Sequence, residues 1–497
     1  MPKLLILMTL ALGIFLSGCG GGGSSPASNK APTANAGADQ SADEGTTVNL
    51  SATGADGDGT IVSFSWQQES GTAVSITNAN MASASFVAPM VAASEVLLFR
   101  VTVTDDDGAT GSDTVTVTVN DIASPPPPLS VGPEICIGGN AGDFSCSGVS
   151  LSKRVSLETM GGTTGNDIWG WFDASTGNEY ALMGMRNGTA FVDITNPEGP
   201  VFLGRLPSES EDSPWRDIKV YQNHAYIVAE NVPHGMQVFD LTRLRGLVSP
   251  QTFSADVVYG DFENAHNLAI NEDTGFAYAV GTNTCGNGLH MIDINVPINP
   301  MFAGCYDLTE THDTQCVIYQ GPDANHVNRE ICVSSNKDHV EIVDVTDKSA
   351  PMSISSISYP QRGYIHQGWF TEDHRFFLLG DEGDEGGGVP TRTHVFDVSD
   401  LDAPVYVFAY EAATVAIDHN LYVLGNRVFQ ANYTSGLRVL EFGNLANEEL
   451  VEIAFFDTFP ASDATDFSGA WSVFPYLPSG TIIVSDITNG LFILSLQ

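Results

Sequence analysis

The 497-residue chain sets 60 Asp and Glu against 19 Lys and Arg, a formal net charge of −41. A phosphate backbone is repelled by such a surface, so nucleic acid is excluded as a partner. With 42% hydrophobic residues the chain has the material for folded cores, and beyond the N-terminus no apolar run is long enough to span a bilayer.

The first element is a targeting segment over residues 1–18. Lys3 precedes the apolar run Leu4 to Phe15, which is too short for a membrane anchor and leads into Leu16-Ser17-Gly18-Cys19. That tetrapeptide resembles the bacterial lipobox. The resemblance implies that Cys19 becomes the lipidated first residue and that residues 19–30, rich in Gly and Ser, are a flexible tether. The membrane then enters as a partner through the N-terminal lipid. Gly20 after the cysteine implies the outer membrane within the cell envelope.

Residues 31–121 read as a separate small β-sandwich. LLFRVTVTDDDGATGSDTVTVTVND, from Leu97, alternates apolar and polar residues between Gly/Asp turns, and Trp66 in FSWQQ is the expected core aromatic. These stretches resemble a PKD-type, immunoglobulin-like domain, a group used as spacers and adhesive modules. Asp105 to Asp107 form either a Ca²⁺ loop or, preferably, a simple turn. Residues 122–133, containing Pro125 to Pro128, form a stiff linker.

From residue 134 to 497 the sequence repeats. Segments that open each copy read NDIWGWF (Asn166), WRDIKVY (Trp215), AHNLAI (Ala265), THDTQCVIY (Thr311), IHQGWF (Ile365), DHNLYVL (Asp418) and SGAWSVF (Ser468), roughly 50 residues apart. A second and a third strand follow each, then a fourth in all but the last copy. This pattern predicts an all-β, seven-bladed β-propeller behind the immunoglobulin-like sandwich. Val149 to Met160 is the natural fourth strand of the last blade, a clasp that removes an open sheet edge.

The stretch from Cys136 to Leu496 is similar to the choice-of-anchor B family, built of LVIVD-type repeats. CIGGNAGDFSC, AHNLAINEDTGFAYAVG, IVDVTDKSAP and HQGWFTEDHRFFLLGDE carry the likeness. It implies a surface location and a propeller, with no established activity.

Of the seven cysteines, Cys19 is assigned to the lipid. The remaining six fall into couples close in sequence, Cys136 with Cys146, Cys285 with Cys305 and Cys316 with Cys332, read as three disulfides of an exported chain.

Aligning the copies places Asn166, Arg216, His266, His312, His366, His419 and Ser468 at one position before the first strand. Asp167, Asp217, Asn267, Asp313, Gln367, Asn420 and Gly469 follow them. The innermost strands of a propeller line its channel, so these side chains, including the polar Arg216, Asp217, Asp167 and Asp313, are expected at one mouth. His266, His312, His366 and His419 either hydrogen-bond a neighbouring blade or ligate a divalent transition metal, and direct acid–base catalysis is a third use. A zinc–nitrogen bond of about 2.1 Å demands that the rings converge.

Asp193, Asp240, Asp293, Asp344 and Asp397 end third strands and read as turn formers. The run Gly380 to Glu385 reads as a solvated acidic loop, with Ca²⁺ ligation as the alternative. Trp169, Trp171, Trp369 and Trp471 are expected between blades, and any that face the channel offer a platform for a sugar ring. The expected protein is a lipid-anchored binding, adhesion or scaffold module for a protein, glycan or small molecule. The alternative is a metal-dependent enzyme centred on the four histidines.

Overall fold

A computed structural model describes residues 28–89, 91, 94–120, 129 and 131–497. The signal segment, Cys19 and most of the proline linker lie outside the described residues. The chain divides into two compact units, Met1–Pro127 and Pro128–Gln497.

In the first unit Gln40–Asp43, Thr110–Asn120, Glu95–Asp105 and Ile61–Ser70 form a four-stranded sheet, and Thr47–Ser51 pairs with Ser83–Val87. Alternation decides which side is buried: Leu97, Phe99, Val101 and Val103 are inaccessible to solvent, while their neighbours are not. Trp66 is buried in the same core as Leu97 and Phe99, and Phe86 meets Phe99 at 4.6 Å. Asp105 Oδ1 accepts from the N–H groups of Asp107 and Ala109, and its Oδ2 accepts from Asn29. Those bonds are the turn-forming use of such a residue.

The second unit is a ring of seven sheets, here blades 1 to 7. Their inner strands are Gly165–Asp173, Arg216–Tyr221, Asn267–Asn271, Asp313–Ile318, Ile365–Phe370, Leu421–Leu424 and Ala470–Phe474. Each inner strand neighbours the next, and that of blade 7 returns to blade 1. Second and third strands are covered on both faces by adjacent blades, so they are largely apolar runs such as Ala225 to Ala229, buried at every residue. Between blades 1 and 2 the rings of Phe191 and Phe239 stack at 4.7 Å.

The clasp is shorter than the expected run to Met160. Val149–Val155 pairs antiparallel with Gly490–Leu496, after which Ser156 caps a single helical turn, Leu157–Met160. A side-chain oxygen at that position accepts from the N–H three residues on and turns the chain out of the strand. Two additions escape the repeat pattern. A hairpin, Asn140–Ala141 and Phe144–Ser147, extends the outer edge of blade 6, and Gln251–Thr252 lies parallel to the outer strand of blade 1.

The three disulfides join Cys136 to Cys146, Cys285 to Cys305 and Cys316 to Cys332. Cys316 and Cys332 face each other across the first two strands of blade 4. The five third-strand aspartates each accept a backbone N–H two residues on, from Thr195, Thr242, Asn295, Thr346 and Ser399.

Candidate functional site

The channel is organised in layers along the inner strands. At their start His266, His312, His366 and His419 stand side by side, with ring centroids 4.3, 4.4 and 4.3 Å apart. The rings form a row and do not converge on one point. Trp471 continues it, 4.8 Å from His419. In blade 7 the equivalent positions are therefore Trp471 and Ser472, to which Asn420 donates. Ser468 and Gly469 precede the strand instead, and half-buried Ser468 donates to Asp466. The repeat alignment is three residues off there because SGAWSVF lacks the histidine that fixes register in blades 3 to 6.

The tautomers are set by the backbone. Nδ1 of His312 donates to the carbonyl of His366 at 3.0 Å, and Nδ1 of His419 donates to that of Trp471 at 2.5 Å. Nε2 is left as the lone-pair nitrogen. Burial, with the neighbouring imidazoles, holds His312 and His366 well below the usual histidine range, and burial brings His419 down to about 3. All three are neutral at physiological pH.

Arg216 does not stand with them. Its guanidinium is buried at the junction of blades 1 and 2, bonded to the Met185 carbonyl, Ser208 and His234. The long side chain reaches partners that the sequence alignment could not show.

Next comes a carboxylate layer that pins blade to blade. Asp167 accepts from the N–H of Ile218, Asp217 from that of Leu268 and Gln367 from that of Leu421. Lys219, partly buried at the edge of a cavity, bonds Asp217 at 2.5 Å, lies 3.9 Å from Asp167 and sits 4.5 Å from the centre of the Trp169 ring. Burial raises the Asp167 carboxyl well above its ordinary range. Burial opposes ionisation at Asp217 too, but Lys219 and the bond to Asp167 outweigh it and lower that group. Burial and the Asp217 charge push Asp313 up to about 7.

Beyond this layer the channel opens into a cavity of about 710 Å³. Its lining includes Trp169, Trp369, Tyr422, Phe474 and Tyr476, with Asp217, Asp313, Gln315, Gln367 and Asn420 also on its walls. Tyr422 packs edge-on against both Trp169 and Trp369, at 5.7 and 5.0 Å. Trp171 stacks on Tyr180 of its own blade, donates to Asn223 of blade 2 at 3.2 Å and borders the same cavity. At the histidine end a second cavity, of about 490 Å³, is lined by Glu230, His266, His312, Lys337, Tyr364 and Glu382 among others.

Several of these residues carried no sequence signal of their own. Glu230 and Glu382 follow the second strands of blades 2 and 5 and reach the histidine of the next blade: Glu230 bonds His266 at 2.7 Å, and Glu382 lies 3.8 Å from His419. Their equivalence becomes visible only when the second strands are aligned. The run Gly380 to Glu385 is not a solvated loop. Asp381, Asp384 and Glu385 are buried, Asp381 accepts from Tyr359, and Asp384 pairs with Arg392 and His394.

Among the described residues no helix is long and apolar enough to cross a membrane. Comparison with known proteins finds a PKD-domain family matching residues 36–119. The PKD1 domain of Vibrio anguillarum Epp is 27% identical, covering 19% of this chain and 99% of that one, with a TM-score of 0.14. A protein from Lactobacillus plantarum is similar over 65% of this chain and 89% of its own, at 13% identity and a TM-score of 0.41. A functionally unknown protein from Desulfotomaculum acetoxidans covers 59% and 86%, at 12% identity and 0.41. No curated protein matches. The chain thus carries, in residues 36–119, a PKD domain.

Proposed function

We propose that this protein is an exported binding module, tethered in the cell envelope by a lipid on Cys19, whose propeller takes up a saccharide in the aromatic cavity. The likeness to the choice-of-anchor B family and the order of signal, cysteine and tether support the location, and the PKD domain fits a spacer between membrane and propeller. The cavity carries the reading. Apolar ring faces beside carboxylate and carboxamide acceptors match a ligand with C–H faces and many hydroxyl donors. Phosphorylated ligands fit poorly against Asp217, Asp313 and the net charge.

An enzyme built on all four histidines has less support, because the rings stand in a row, tilted to one another by 50°, 49° and 41°. A glycan array probed with the Cys19→Ala chain tests the binding reading. Retention of a defined glycan set, lost in Trp369→Ala, is expected. An array that retains nothing, or retains the same set with Trp369→Ala, contradicts it.

A further inference from the structure

A different group of side chains, at the histidine end of the channel, has the composition of a metal centre. Nε2 of His366 lies 3.8 Å from one carboxylate oxygen of Glu382, and Nε2 of His419 lies 3.8 Å from the other. One ligand atom from each of the three residues falls within 4.8 Å of the other two. We propose that His366, His419 and Glu382 bind a first-row divalent metal ion, with the two Nε2 atoms and the carboxylate as ligands.

Three features support the assignment. The Nδ1–H of His419 is committed to the Trp471 carbonyl, which presents the Nε2 lone pair, the arrangement that orients metal-binding histidines. Nδ1 of His366 faces the His419 backbone without closing a full hydrogen bond. The Glu382 carboxylate is held by the Tyr433 hydroxyl at 2.7 Å, the outer partner that a ligating carboxylate ordinarily has.

The site also has a path for the ion. Glu382 borders the cavity of about 490 Å³, while His366 and His419 are covered. Two histidines and one carboxylate leave coordination positions open, as in zinc hydrolytic centres and non-haem iron centres, where structural sites are closed by four protein ligands. His266 and His312 fall outside the set. His266 is bonded through Nδ1 to Glu230 and His312 to the His366 carbonyl, and neither shares Glu382 within this distance. Glu382 adds what the row of histidines lacks, a carboxylate whose two oxygens each lie 3.8 Å from a different ring nitrogen.

The test is Zn²⁺ titration by calorimetry of the full chain, purified without a histidine tag and stripped with chelator. One equivalent is expected to bind. Glu382→Gln, which keeps an acceptor for Tyr433, is expected to weaken binding on the order of 100-fold, and Tyr433→Phe about 10-fold, the effect of losing an outer partner. His266→Gln is expected to leave affinity within about two-fold, since it removes no ligand. Circular dichroism of each variant separates loss of the site from loss of the fold. Absence of Zn²⁺ binding by the folded parent overturns the proposal. So does binding that survives Glu382→Gln, or that His266→Gln abolishes.

Discussion

Val155, in the strand that opens the propeller, pairs with Leu491 in its final strand. This contact joins the two ends of the unit, and Gly490 makes it possible. Its φ of +92° is one that L side chains rarely adopt, and a Cβ there would lie 2.3 Å from the Val155 carbonyl oxygen. Val149, Leu151 and Val155 are buried by the pairing, which at about 1.5–3 kcal/mol each amounts to roughly 5–9 kcal/mol. Deleting Val149 to Val155 is therefore expected to lower the propeller melting temperature sharply. Gly490→Ala and Leu151→Ala give smaller losses, about 2–5 kcal/mol for the latter, and removing residues 31–121 gives none. Thermal unfolding followed by near-UV circular dichroism reads all four; an unchanged transition after the clasp deletion means that the ring closes otherwise.

Asp217 is expected to be the most costly single carboxylate to remove. It accepts from the Leu268 N–H and pairs with Lys219, and its loss leaves a largely covered ammonium without its closest partner. Breaking a buried pair in this way costs about 3–5 kcal/mol. Chemical denaturation of Asp217→Ala beside Asp217→Ala/Lys219→Met gives the answer, with partial recovery expected in the double variant. No recovery would show that the bond to Leu268 carries the effect.

How much of this was legible in the sequence depended on whether the signal was local. The blades were readable because strands covered on both faces are largely apolar, as in Ala225 to Ala229. The turn aspartates and the cysteine couples were readable because their partners are near in sequence. Glu382 was not, since its partners Tyr433 and His419 are supplied by the next blade, and an acidic run looks the same whether solvated or buried. Arg216 misled for the same reason: its partners span two blades.

Acid lability is expected from His234. Burial first, then the neighbouring Arg216 charge, brings its pKa down to about 4. A depressed folded pKa means the unfolded chain binds the proton more readily, so this contribution is intact above about 6.5 and is lost as pH falls toward about 4. The loss at full protonation is on the order of 3 kcal/mol. Urea midpoints measured between those limits are expected to fall more steeply for the parent than for His234→Gln. Parallel profiles would remove His234 from the account.

The most direct test of the central claim, that the aromatic cavity is where the propeller binds its ligand, is calorimetric titration of the array-selected saccharide into three chains: the parent, Trp369→Ala and Phe302→Ala, the last an exposed outer-strand control. Loss of a central aromatic anchor costs about 2 kcal/mol or more, so Kd is expected to rise roughly 30-fold or more in Trp369→Ala and to stay unchanged in Phe302→Ala. Equal affinity in all three chains would place the ligand outside the cavity and contradict the account.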